Sequence, residues 1–401
     1  MRTLMGYEIK KILMKKSTLV TFLVLLAVQI VMAFSGSLGS TYVEDVFYET
    51  HMERNRTDRE NGIALSGRPM DDALFAEMRD AYAKIDRSTQ DYKWTDTYRN
   101  EVRKYEDVEN RLKYWGLGSG YSFDNMTQGA LYGLREQSRD SMWEYYELSD
   151  REVAYWQEKD ARVQIPFTYE YAQAYDSFTG MSGCYMICML ITFFIAISMV
   201  TVFAEEHTRK TDQLILCTRY GRTKVYGAKL LSGSLVVFVV NLLFVALELL
   251  GKFFSYGTEG FGASIQSVIA PWYSYPLSMG QALLMMAGLL LLSSLMVAVF
   301  AMLLAEVLRS SIGAMAILIG LLFVARLIPI APSLGVLSQA WNYLPINMLK
   351  ADQGFLDMRL VNIFGLRLTS WQFAPILYLL IIVVLVLAGG KIYRNYQVSG
   401  R

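Results

Sequence analysis

Six apolar stretches, each near the length of a bilayer's hydrocarbon core, constrain this 401-residue chain more than any other feature. They are Thr18–Phe34, Cys184–Val202, Leu230–Leu250, Met279–Ala305, Ile312–Ile328 and Phe373–Gly390. A helix needs roughly 20 apolar residues to cross the core. Composition agrees, at 53% hydrophobic, because the apolar residues are gathered in these blocks. The first block reads as a span and not as a cleaved leader, since a basic lead of residues 1–17 precedes it and no small-x-small site follows. The predicted fold class is an all-α integral membrane protein. It has six transmembrane helices and a large helical extracytoplasmic domain between helices 1 and 2.

The net charge of +1 hides a partition. Residues 35–180 hold about ten more acidic than basic residues, so the remainder carries a similar positive excess. Those bases flank the spans: Lys10, Lys11, Lys15 and Lys16 before the first, and Lys391 and Arg394 after the last. Basic flanks stay inside. Six crossings with both termini cytoplasmic satisfy them all, which places the chain in the plasma membrane as a multi-pass protein.

The predicted organisation follows. Residues 1–17 form a cytoplasmic amphipathic helix, with Leu4, Met5, Ile9, Ile12 and Leu13 at helical spacing. Transmembrane helix 1 covers 18–34 and the extracytoplasmic helical domain 35–180. Residues 181–401 hold helices 2–6, with a cytoplasmic loop at 203–229. Within the domain, Asp71 caps a helix running to about Ile85. A second apolar stripe joins Tyr98, Val102, Tyr105, Val108, Leu112 and Trp115, and a third runs from Gln128 to Lys159. The glycine-rich run from Gly116 to Tyr121 separates the last two. Residues 329–372 are broken by Pro329, Pro332 and Pro345, which suits short surface or re-entrant helices and not a span. The domain has no cysteine, so packing alone must hold it. Cys184 and Cys188 lack partner ligands and read as small apolar groups, which leaves no metal site.

No Gly-x-x-x-x-Gly-Lys-Ser/Thr phosphate loop occurs, and two histidines cannot build His-Glu-x-x-His beside spans that offer no other zinc ligands. The chain reads as a non-enzyme, and any ATP-driven work must enter from another subunit.

The loop from Phe203 to Lys229 is the best-placed surface to receive it. It is basic, carrying Arg209, Lys210, Arg219, Arg222, Lys224 and Lys229. Its centre sets Leu214 and Ile215 to one side and charges to the others, as a short helix that presses into a partner's groove would need. Glu205 or Glu206 at its start, Leu214 and Leu216 in the middle, Arg222, and Lys229 at the mouth of the next span resemble the coupling loop of permease subunits of ABC-2 type ABC transporters. Lys210-Thr211 stands where that family has Gly-Thr, and Arg219-Tyr220-Gly221 where it has Pro-x-Ser.

The resemblance implies a permease subunit that exports a peptide, an antibiotic or another amphiphilic compound. It implies a separate cytoplasmic ABC ATPase gripping Glu205, Glu206, Arg209, Thr211, Leu214, Leu216 and Arg222. It also implies a second permease copy or a related permease. ATP and Mg would sit on the ATPase, with no cofactor, metal or nucleic acid on this chain. Inside the spans, Glu248 and Arg326 lie near outer helix ends and form a candidate gate pair. The alternative is a membrane receptor or scaffold whose external domain binds a ligand or partner without transport.

Overall fold

A computed structural model describes residues 1–43, 46–86, 90–117, 126–218, 220–350, 354–355 and 357–395. It is mostly helical. In chain order the elements are α1 (Arg2–Leu13), α2 (Lys16–Phe34), β1 (Ser40–Val43), β2 (Val46–Thr50), α3 (His51–Leu65), α4 (Asp72–Tyr82) and α5 (Glu106–Leu112). Then come α6 (Gln128–Tyr145), α7 (Asp150–Asp160), α8 (Gln173–Thr179), α9 (Cys184–Ser198), α10 (Thr201–Thr208) and α11 (Asp212–Leu216). The remainder is α12 (Tyr226–Tyr256), α13 (Ile265–Val268), α14 (Met279–Leu308), α15 (Ser311–Leu327), α16 (Val336–Asn342), α17 (Pro345–Met348), β3 (Val361–Ile363), β4 (Leu366–Leu368) and α18 (Ser370–Asn395).

Among the described residues, five helices are long and apolar enough to cross a bilayer: Lys16–Ser37, Cys184–Thr208, Tyr226–Tyr256, Met279–Leu308 and Ser370–Asn395. The remaining apolar block forms the shorter Ser311–Leu327. The central helix is α14, which packs on α18, α12, α9, α10 and α15. At its start Ser278 and Gln281 form a capping box, and Arg309 in the left-handed conformation ends it.

The α2–α12 seam is polar as well as close. Gln29 Nε2 donates to Glu248 Oε2 at 2.7 Å, and Lys252 Nζ lies 3.3 Å from Glu248 Oε1. One turn on, a Cβ added at Gly251 would stand 2.4 Å from the Ala33 carbonyl oxygen, so only glycine lets the two backbones meet here. Ser37 and Ser255 hydroxyls close the seam at 2.5 Å.

A second core of buried residues runs from Leu65 to Tyr169, while Trp143, Trp156, Ala172, Ala174, Tyr175 and Phe178 join the core of the bundle. The predicted stripe from Tyr98 to Trp115 is buried at all six positions. Its backbone, however, is a π turn (Tyr98–Val102), a 3-10 turn (Arg103–Tyr105), α5 and a second π turn (Lys113–Leu117), not one regular helix. The third predicted helix is also divided. Glu147 takes a positive φ of 51°, and a Ser149–Glu152 capping box starts α7 afresh. The first prediction stands closer: Asp71 accepts from the Leu74 amide at 3.0 Å and α4 follows. Residues 118–121 of the glycine-rich break lie outside the described residues. Two antiparallel hairpins, β1–β2 and β3–β4, qualify the all-α expectation.

The domain is bolted to the loops at one end of the bundle. Arg111 donates to the Ser267 carbonyl at 2.8 Å and the Glu170 carbonyl at 3.0 Å, while Asp107 balances its charge at 2.8 Å. Trp115 donates to Ile269 and Trp156 to Met358, both at backbone carbonyls. Arg59 pairs with Glu259, with Nε to Oε2 at 2.8 Å. These contacts place the domain at the bundle end opposite α1 and the last turns of α18.

Near Arg111, burial pushes the Asp176 carboxyl up from 3.8 to about 6, against the opposing pull of Arg111 and with a further push from Asp107. Between those values the folded chain holds a proton that the unfolded chain releases. Stability therefore falls as pH rises through this window and stays at the lower level above it. Asp176→Asn is expected to raise stability at pH 7.5 by on the order of 2–3 kcal/mol and to change little at pH 4. Thermal melts of both proteins across pH 4–8 read the difference.

Candidate functional site

At the opposite end of the bundle, the predicted loop residues come together around α10. Helix α10 continues the line of α9, so its polar last turn carries Glu205, Glu206 and His207 out of the apolar stretch. Glu206 is buried and takes two ammonium groups on one oxygen: Lys11 Nζ and Lys229 Nζ each lie 2.6 Å from Oε1. The Lys229 side chain is wholly buried. Its Nζ also donates to the Val202 carbonyl at 2.9 Å and lies over the Phe203 ring at 4.9 Å. Glu205 pairs with Lys15 at 2.9 Å and with Arg209 at 2.5 Å. Lys11 and Lys15 sit four residues apart and meet adjacent glutamates, which clamps the amino-terminal segment onto α10. Ser232 adds a bond to the Met5 carbonyl at 3.2 Å.

Three rings back the cluster. Tyr226 lies 6.0 Å from Phe203 and 5.5 Å from Tyr393, and its hydroxyl donates to the Val386 carbonyl at 2.9 Å. α18 is thereby tied to the same end. His207 Nε2 lies 2.8 Å from Glu306 Oε2. Sequence reasoning passed over this pair, although a signal was present: Glu306 is an acid at the carboxyl end of α14, where the helix dipole disfavours it and a donor is needed.

Beyond α10 the chain reverses at Lys210, whose φ is +56°. The Thr211 amide bonds the Glu206 carbonyl at 3.0 Å and the Lys210 amide bonds His207 at 3.2 Å, the double bond pattern that ends a helix on a left-handed residue. Glycine takes this conformation freely, and Lys210 holds it with strain. Helix α11 follows. Leu214 on it is 73% exposed, whereas Leu216 is buried against the bundle core. A second reversal uses Gly221, where a Cβ would stand 1.8 Å from the Ile215 carbonyl oxygen.

Of the predicted contact residues, Glu205 and Glu206 are held within the chain, Thr211 closes the helix end, and Leu216 points inward. Arg209 and Leu214 are exposed. Arg222 falls in the turn Gly221–Val225, and its side chain lies outside the described residues, as does Arg219. The structure does not bring Glu248 and Arg326 together. Glu248 faces α2, where Gln29 donates to it, and pairs with Lys252 one turn along its own helix, while the Arg326 guanidinium lies 5.8 Å over the ring of Tyr185 on α9.

Two outcomes are expected. Lys229→Met leaves Glu206 half-neutralised in a buried site and costs on the order of 3 kcal/mol, and Glu206→Leu added to it recovers part of that loss. Lys210→Gly relieves the left-handed strain and gains about 1 kcal/mol. Detergent-solubilised melting curves of the variants check both.

The family model described as ABC-2 family transporter protein matches residues 2–388. No curated protein and no solved structure matches the chain. The matched range takes in the amino-terminal clamp, the domain, the α10–α12 loop and almost all of the last helix, so the chain belongs to the ABC-2 transporter family, as the permease of an ABC transporter.

Proposed function

We propose that this permease receives its driving force at α11, from a separate cytoplasmic ATPase that binds ATP and Mg. The observation that carries the reading is Leu214, a large apolar side chain standing in solvent at the middle of a short helix. Before it in the chain, the Lys11–Glu206–Lys229 and Lys15–Glu205–Arg209 pairs hold α10, from which α11 continues, against the bundle. An exposed apolar anchor on a rigid mount suits insertion into a partner's groove. In this reading Glu205 and Glu206 act from behind as braces, while Leu214 and Arg209 meet the ATPase directly.

All six apolar helices cross the plasma membrane. α15 is about 26 Å long at 1.5 Å per residue, slightly short of a 30 Å core, a mismatch that local thinning accommodates. Both termini and residues 203–229 are cytoplasmic, and residues 35–180 are extracytoplasmic. The permease pairs with a second copy or a related permease and exports an amphiphilic compound or peptide. ATPase closure shifts the pair between inward- and outward-facing states.

The test is affinity purification of the tagged full chain from its native membrane, with ATP hydrolysis assayed in the eluate. Leu214→Glu is expected to lower co-purified activity about tenfold, as loss of a central apolar anchor does at other interfaces. Undiminished activity with Leu214→Glu would remove α11 as the contact.

A further inference from the structure

At the domain-bearing end, two cations converge on one aromatic ring. Arg326 lies 5.8 Å and Lys350 Nζ 6.0 Å from the centre of Tyr185. Both cations line a cavity of about 330 Å³ whose described lining residues include no Asp or Glu. Trp341 borders it and donates to the Ile328 carbonyl at 3.0 Å. Lys350 and Tyr185 also line a second cavity of about 560 Å³, which runs under the domain to Arg111 and Asp176.

Beside Arg326, α15 offers an exposed apolar stripe at helical spacing: Ala316, Gly320, Phe323 and Leu327. Gly320 has open space where a side chain would be. Phe323 is 45% and Leu327 71% exposed. A cationic pocket thus opens at the end of an exposed apolar helix face. That pairing suits a charged head joined to hydrocarbon tails, and a soluble anion would have no use for the apolar face.

We propose that Arg326 and Lys350 bind the phosphate of an anionic phospholipid whose acyl chains lie along the Ala316–Leu327 stripe. The ring of Tyr185 holds the two cations near each other, and Trp341 sits at the headgroup level as interfacial aromatics do. The proposal rests on α15 crossing the membrane, but not on the ATPase contact at α11, so it can fail without Leu214 failing.

Native mass spectrometry of the full chain in detergent tests it, with dioleoyl phosphatidylglycerol, dioleoyl phosphatidylcholine or inorganic phosphate added. Wild type is expected to hold phosphatidylglycerol about fivefold more than phosphatidylcholine for each cation engaged. Arg326→Gln with Lys350→Gln brings the two lipids to parity. Gly320→Trp, which sets a bulky ring on the apolar face, lowers both lipids while the headgroup preference persists. Arg326→Lys keeps most of the preference. Equal retention of the two lipids by wild type, or a preference untouched by the double substitution, overturns the site. Displacement of phosphatidylglycerol by millimolar inorganic phosphate would overturn the lipid assignment in favour of a soluble anion.

Discussion

Glu206 holds one end of this protein together. Its carboxylate takes Lys11 from the amino-terminal helix and Lys229 from α12, and its backbone carbonyl ends α10 by accepting from Thr211. The amino-terminal helix, 195 residues away, thus meets α10 and α12 at one residue. Burial binds Glu206 and Lys229 to each other, since either left unpaired would cost several kcal/mol, while the half-exposed Lys11 joins them from the solvent side. Position of α11 follows from it, because α11 begins where Glu206 stops α10. The apolar bundle would pack without this cluster, but the direction in which Leu214 points would not be fixed.

Apolar run length made the long helices legible, and the predicted runs agree with them to within about six residues at each end, although the run ending at Ile328 forms a shorter helix than the other five. The domain core was legible as well, since Leu74, Phe75 and Met78 or Tyr98 and Val102 must face inward whatever the exact backbone. Backbone form was harder to read. Side-chain periodicity does not distinguish an α turn from a π turn over one stripe, and the capping box at Ser149 broke a pattern that apolar spacing alone would have continued. The site was legible in its location more than in its roles. Glu205 and Glu206 carry charge in a loop, which reads as a contact surface, yet their partners lie at Lys11, Lys15 and Lys229. A pairing across two hundred residues leaves no local trace. The spacing of Lys11 and Lys15 matched that of a helix face, and only the three-dimensional meeting with α10 gave it meaning. Leu216 misled for a related reason: on a five-residue helix one apolar residue anchors inward so that another can face out.

The two ends of the bundle solve opposite problems. At the terminus-bearing end, Glu205 and Glu206 are neutralised within the chain and Leu214 is left exposed. At the domain-bearing end, the domain's aromatic and guanidinium groups are spent on backbone carbonyls of the α12–α14 loop and of the segment near Met358. Those loops would otherwise carry unpaired carbonyls, so the domain completes the hydrogen bonding of the bundle it sits on. It follows that the domain and the loops beneath it form one mechanical body.

The α2–α12 seam bears on motion. Pulling α2 away from α12 would part Gln29 from Glu248 and open the backbone contact at Gly251, and a buried amide left without its partner is costly away from water. Helix α15 buries Ala314, Leu318, Leu322 and Ala325, packs Phe323 on Phe193 and sets Arg326 over the Tyr185 ring, contacts that are apolar or cation-π, so sliding along them costs less than opening the α2–α12 seam. The bundle is therefore soft along one slip plane and stiff along another. Sequence changes that add a single buried amide to α15 would weld that plane shut without altering the fold.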